Sequence, residues 1–144
     1  MSPNKSKRKG SAWESYFVEL LERNLDGIFK RVVGSGAIGT IMDEPMLMGD
    51  IVAEFAGFPR KFRFENKTGY GGETQLTLKR EWFNKIREEA INNYSVPAIA
   101  CKFFGSRKAT GVQYFVALDF DAFCDIMRHI AKQSEELDKY GKSK

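Results

Sequence analysis

Apolar and polar positions alternate along Gly49-Asp50-Ile51-Val52-Ala53-Glu54-Phe55 and again along Lys61-Phe62-Arg63-Phe64-Glu65-Asn66-Lys67. Two such runs joined by Ala56-Gly57-Phe58-Pro59 predict a β-hairpin with a four-residue loop. That loop fixes a register in which Glu54 faces Lys61, Val52 faces Arg63 and Asp50 faces Glu65. Elsewhere the period becomes helical. A first helix is expected from Ser11 to about Leu25, with Glu14, Val18, Leu21 and Leu25 on one stripe and Ser11-x-x-Glu14 as a capping box. A second runs from about Leu78 to Asn93 through Trp82, Phe83, Ile86, Ala90, Ile91 and Tyr94, whose aromatics read as core. A third, Asp121 to about Gln133, is carried by Phe123, Ile126, Met127 and Ile130. Further strand-length runs are Gly27 to Val33, Pro97 to Phe103 and Val112 to Leu118. The order helix, three strands, helix, two strands, helix predicts an α/β fold, a single domain with a mixed central sheet of about five strands flanked by helices.

The chain has 144 residues, 42% of them hydrophobic and 13% aromatic, enough for one domain with a proper core. Its net charge of +4 is concentrated near the start, at Lys5, Lys7, Arg8 and Lys9. The expected organisation is therefore a basic arm over residues 1–10, a folded domain over 11–133 and a polar, charged tail over 134–144. Those four cations, with Arg107 and Lys108 in the turn between the last two strands, are candidate contacts to a nucleic-acid backbone, although basic termini and turns are also common as plain solvated surface. The two cysteines, Cys101 and Cys124, are far apart and form no Cys-x-x-Cys pair, which predicts reduced thiols and excludes a zinc site built from them. His129 is expected at the surface or boundary of the last helix. No apolar run approaches the roughly 18 residues that span a bilayer, and no hydrophobic signal region is present. The expectation is a cytoplasmic protein without membrane partners, in the host-cell cytoplasm if the source is viral.

The predicted hairpin raises a chemical question. Directly opposite Cβ atoms lie about 4.5–5.5 Å apart, so Asp50 and Glu65 would repel each other, with Lys67 on the same face. Either the face is solvated, or a cation sits between the carboxylates. Hard oxygen ligands without a histidine or cysteine cluster suit Mg²⁺ or Mn²⁺. The loop Thr68-Gly69-Tyr70-Gly71-Gly72 beyond them lets backbone approach a phosphate closely.

Asp50, followed fifteen positions later by Glu65-Asn66-Lys67, resembles the PD-(D/E)xK nuclease signature, and Arg8-Lys9-Gly10-Ser11-Ala12-Trp13-Glu14 is similar to the opening of archaeal-type Holliday junction resolvases. The resemblance extends from about Lys9 to Leu118. It implies a restriction-endonuclease-like core and a metal-dependent endonuclease that nicks four-way junction DNA. Asp50, Glu65, the Asn66 carbonyl and Glu14 would hold Mg²⁺, for which Mn²⁺ can substitute. Lys67 would orient the attacking water or neutralise developing charge. Ser35, after the first strand, matches a loop serine near the scissile phosphate, and Gln75 matches a downstream glutamine, the alternatives being a Gly-Ser turn and an exposed polar residue. Paired nicks on a two-fold symmetric junction imply a homodimer. Its apolar patch is expected around Phe115, Phe120 and Phe123, or else in the Met42, Met46, Met48 loop, unless these residues complete the monomer core. The chain departs from the pattern in two places. Gly49 stands where the motif has proline, and the connection over residues 37–48 is long and apolar, with Asp43 and Glu44 as rival carboxylates. Two other readings remain: a restriction- or repair-type nuclease on the same fold, and a non-catalytic DNA-binding protein. Acidic residues converging beside phosphate count against the last.

Overall fold

The structure, a computed structural model, describes residues 5–32, 51–104 and 111–142, with side chains for residues 12–141 of those spans. Trp13, Phe17 and Leu21 recur every fourth position, are all buried, and form the inner stripe of α1, Lys5–Asn24. The stripe lies one position ahead of the expected one: Val18 is only partly buried, and Leu25 falls beyond the helix and is half exposed. Aromatic reach decides this. Phe17 meets Phe64 edge-on at 5.0 Å between ring centroids, and Trp13 stacks on Tyr114 at 5.5 Å. The helix also begins earlier than Ser11. Lysine and arginine are good helix formers and the run from Lys5 contains no proline, so Ser11 lies inside the helix and the predicted capping box is not at its N-terminus.

After α1, strand β1, Gly27–Arg31, forms an edge of the sheet with only Phe29 buried. Gly27 is needed there, because a Cβ would collide with the Glu54 carbonyl oxygen on the neighbouring strand. Strands β2, Ile51–Phe55, and β3, Phe62–Thr68, pair antiparallel in the expected register, Val52 opposite Arg63, and the Glu54 and Lys61 side chains approach to 4.0 Å. Pairing stops at Ala53 and Phe62, so the connection is longer than four residues; Gly57 at φ +85° and the amide of Phe58 donating to the Phe55 carbonyl turn the chain. The Asp50–Glu65 pairing lies outside the described residues.

Helix α2, Arg80–Asn92, returns the chain so that β4, Val96–Lys102, lies parallel to β3, a pairing that requires such a crossover. Strand β5, Tyr114–Ala117, then adds antiparallel to β4. Among the described residues the sheet is five-stranded and mixed, runs β1-β2-β3-β4-β5 and matches the expected fold class. The inner face of α2 consists of Trp82, Ile86, Glu89 and Ala90; Ile91 and Tyr94, expected on its apolar stripe, are exposed. Helix α3, Phe120–Lys142, is capped by the Asp119 carboxylate, which accepts from the Ala122 amide at 2.7 Å, and it continues in solvent through the charged residues from Ser134 onward.

Helix α1 covers one face of the sheet, where Trp13, Phe17, Phe29, Ile51, Phe64 and Ala98 form the main core, joined by Ala122 of α3. The other face is covered by α2, whose Trp82 and Ile86 pack on Ile99 and Cys101 of β4. Burial pushes the Cys101 thiol up to about 12, leaving it protonated and inert at neutral pH, while Cys124 on α3 is partly exposed. A thiol reagent at pH 8 should modify Cys124 in the native protein and reach Cys101 only on unfolding. Two rapidly reacting thiols would contradict this packing. Among the described residues no helix is long and apolar enough to cross a membrane.

Candidate active site

Alternation along β3 sends Phe62 and Phe64 into the α1 core and Arg63, Glu65 and Lys67 toward α2. There the Lys67 ammonium lies 3.1 Å from Glu65 Oε1. Both groups are shielded, with side chains 17% and 8% exposed. The Lys67 ammonium also lies 4.5 Å from the centre of the Trp82 ring and 5.7 Å from that of Tyr70. An aromatic face attracts a cation, so the ammonium is held between a carboxylate and two π-systems.

The segment after β3 builds that aromatic corner. Gly69, Gly71 and Gly72 adopt positive φ, and the Thr77 amide donates to the Tyr70 carbonyl at 2.6 Å, closing a loop that sets Tyr70 edge-on against Trp82 at 4.6 Å. Gly71 is essential to the closure, since a Cβ would press on the Gln75 carbonyl and the Thr77 amide. Lys79, at the foot of α2, adds a second cation 5.7 Å from the Trp82 ring centre.

Three further groups at this site went unassigned in the sequence reading. Lys85 on α2 approaches Glu65 Oε1 to 4.0 Å. Arg63 and Glu89 are buried, and Glu89 lies within the electrostatic reach of both Glu65 and Arg63. Burial drives the Glu89 carboxyl above its usual range, opposed by Lys85 and Arg63 and reinforced by Glu65. Burial likewise pulls the Arg63 guanidinium down, opposed by Glu89. The legible signal for Glu89 was its place seven residues after Trp82, on the buried stripe of the helix, where a carboxylate is out of character.

The remaining candidates are distributed unevenly. Glu14 accepts from Arg31 at 2.8 Å, and Arg31 also donates to Ser15 on α1, so this carboxylate is engaged on the α1 side of the sheet while Glu65 faces α2. Asn66 is buried within β3 and Gln75 is exposed. Lys5, Lys7, Arg8 and Lys9 belong to the first turns of α1. Ser35, Asp43, Glu44, Asp50, Arg107 and Lys108 lie outside the described residues.

Among the described residues no group of three or more histidine, cysteine or acidic side chains could hold a metal. Glu65 nonetheless fits one as a single ligand: its Oε2 is buried and has no hydrogen-bond partner among the described residues, an arrangement that is costly unless a cation or donor completes it.

A sequence profile of the family described as "Phage putative PDDEXK endonuclease" matches residues 5–139. The chain belongs to this family. No curated protein matches it in sequence. Among solved structures the chain is similar to Hjc, a Holliday junction resolvase from Archaeoglobus fulgidus, at 19% identity and a TM-score of 0.49, over 79% of this chain and 86% of that one. The PDDEXK profile spans α1 through most of α3, so the elements that carry Glu65, Lys67 and the aromatic corner all fall within the family's own domain.

Proposed function

We propose that this PDDEXK-family protein is a Mg²⁺-dependent endonuclease that resolves four-way DNA junctions by paired nicks. The observation that carries the reading is the shielded Glu65–Lys67 pair, in the order and spacing of the family motif, with one buried carboxylate oxygen that has no hydrogen-bond partner among the described residues. Asp50, Glu65 and the Asn66 carbonyl would hold the metal. Glu14 could join them only by leaving Arg31. When bound, Mg²⁺ supplies Lewis-acid stabilisation of charge on the phosphate. Lys67, fixed by Trp82 and Tyr70, presents its ammonium to the attacking water or to the phosphoryl oxygens without reorganising during the reaction. The covering rings exclude bulk water from that ammonium, which strengthens its interaction with the phosphate. Ser35 would contact the phosphate, and the cations at the start of α1, with Arg107 and Lys108, would follow the DNA backbone.

The junction assignment rests on the resemblance of the Lys9-Gly10 to Glu14 segment to archaeal-type resolvases and on the symmetry of the substrate. One domain with one site must act as a C₂ pair to place two symmetric nicks in one encounter. A suitable surface is available: Phe120, Phe123, Met127, Ile130 and Leu137 follow one another at three-, four- and seven-residue steps along α3 and are all exposed. Phe115, by contrast, packs on Phe103 and the α2-side core. In sedimentation at micromolar concentration, Phe120→Glu is expected to convert a dimer to a folded monomer that binds junctions but no longer makes paired nicks. A variant that stays dimeric moves the interface elsewhere.

The deciding assay compares a synthetic four-way junction with a linear duplex of the same sequence, in Mg²⁺, Mn²⁺ or EDTA. Junction cleavage in either metal and none in EDTA is expected. Equal cleavage of both substrates would indicate a restriction- or repair-type enzyme. Tight binding without cleavage would indicate a DNA-binding protein instead.

A further inference from the structure

Two ammonium groups converge on one oxygen of Glu65, Lys67 at 3.1 Å and Lys85 at 4.0 Å. They are held in different ways. Lys67 is 17% exposed and backed by the Trp82 and Tyr70 rings. Lys85, on α2, is 58% exposed and carries a flexible four-carbon stem. Arg63 and Glu89, by contrast, are buried.

We propose that Lys85 is a second phosphate-binding cation of this site, resting on Glu65 in the free protein and transferring to a backbone phosphate of bound DNA once Glu65 takes up a divalent cation. The proposal rests on the nuclease reading above. Its logic is electrostatic. A divalent ion on Glu65 would stand about 2 Å from the carboxylate oxygen, within a few ångströms of both ammonium groups. Like charges at that range repel strongly in a site shielded from bulk water. Something must yield, and Lys67 is retained by two aromatic faces while Lys85 is retained by Glu65 and the field of Glu89. The exposed lysine therefore moves. A phosphate of the nucleic acid is the anion the substrate brings to the same place, and lysine is well suited to it as a flexible point charge. The exchange couples the two binding events: the cation releases Lys85 for DNA, and DNA stabilises the released position.

Lys85→Gln and Lys85→Arg test this on the full chain, and neither should perturb folding at so exposed a position. Without DNA, Mn²⁺ binding measured by calorimetry should tighten in Lys85→Gln by up to about fivefold, the scale of a lost exposed ion pair converted to affinity. For duplex DNA, log affinity is measured against log salt with Ca²⁺ present to withhold turnover, and again in EDTA. With the cation, the slope in Lys85→Gln should become shallower by about 0.9, one phosphate contact, and Lys85→Arg should restore it. In EDTA wild type and Lys85→Gln should share one slope, because Lys85 is then occupied by Glu65. A slope change of equal size in both conditions would mean a static surface contact and would overturn the exchange. Unchanged slopes in both would remove Lys85 from the interface altogether. The nuclease reading fails separately: if wild type cleaves no DNA in Mg²⁺ or Mn²⁺, that reading falls while the cation-dependent slope still reads the exchange.

Discussion

Glu65→Gln is expected to reduce cleavage by about 10³-fold or more while leaving junction binding in EDTA unchanged or tighter. The substitution keeps the shape of a buried side chain that is only 8% exposed, so folding should survive. It removes the negative charge that Lys67 and Lys85 share and turns one of the two carboxylate oxygens into an amide nitrogen that cannot ligate a cation. Loss of one preorganised group at the reacting phosphate typically costs about 10²–10³ in turnover, and loss of a metal ligand adds to it. Binding should not suffer, because a negative charge facing the phosphates disappears. Asp50→Ala should behave alike, and Lys67→Ala should be nearly inactive. Single-turnover cleavage and gel-shift titration of the same junction separate the two effects. A Glu65→Gln enzyme cutting at the wild-type rate would refute the ligand assignment and redirect it to Asp43 or Glu44.

The largest stability effect should come from Trp13. Trp13 is 2% exposed, stacks on Tyr114 and meets Phe17 at a tilt, and its indole nitrogen donates to the Ala100 carbonyl at 3.0 Å, tying α1 to the middle of β4. Trp13→Ala should cost about 3–5 kcal/mol through lost transfer energy and the cavity left behind, a large part of the roughly 5–15 kcal/mol that holds a domain folded. Trp13→Phe keeps much of the apolar contact but loses that hydrogen bond, at about 0.5–1.5 kcal/mol. Urea unfolding followed by circular dichroism distinguishes the three proteins. A loss below about 1 kcal/mol for Trp13→Ala would mean that α1 is not seated as described.

The hairpin was legible because its two runs alternate, and a slip by one residue would turn Phe62 and Phe64 away from the α1 core toward the α2 face. That constraint is local, so Val52 opposite Arg63 and Glu54 beside Lys61 could be read directly from the chain. The first helix was legible in kind but not in phase. Two stripes, Glu14-Val18-Leu21-Leu25 and Trp13-Phe17-Leu21, share a residue, and only the position of the sheet beneath them, with Phe64 and Tyr114 waiting for aromatic partners, selects the second.

Sequence alone determined the order of elements, the mixed sheet and the Glu65-x-Lys67 pair, because periodicity and strand alternation act between residues close in the chain. What tertiary structure decided is who meets that pair. Trp82, Lys85 and Glu89 come from a helix more than a dozen residues downstream, and the crossover that makes β4 parallel to β3 lays that helix across Glu65. It also set Glu14 against Arg31 on the opposite side of the sheet, since the buried stripe of α1 is fixed by the bulk of Trp13 and Phe17 and Glu14 follows wherever that packing points it. Such contacts depend on distances through space that no short-range pattern encodes, whereas the strand register depends only on which face of a pleated chain can be kept dry.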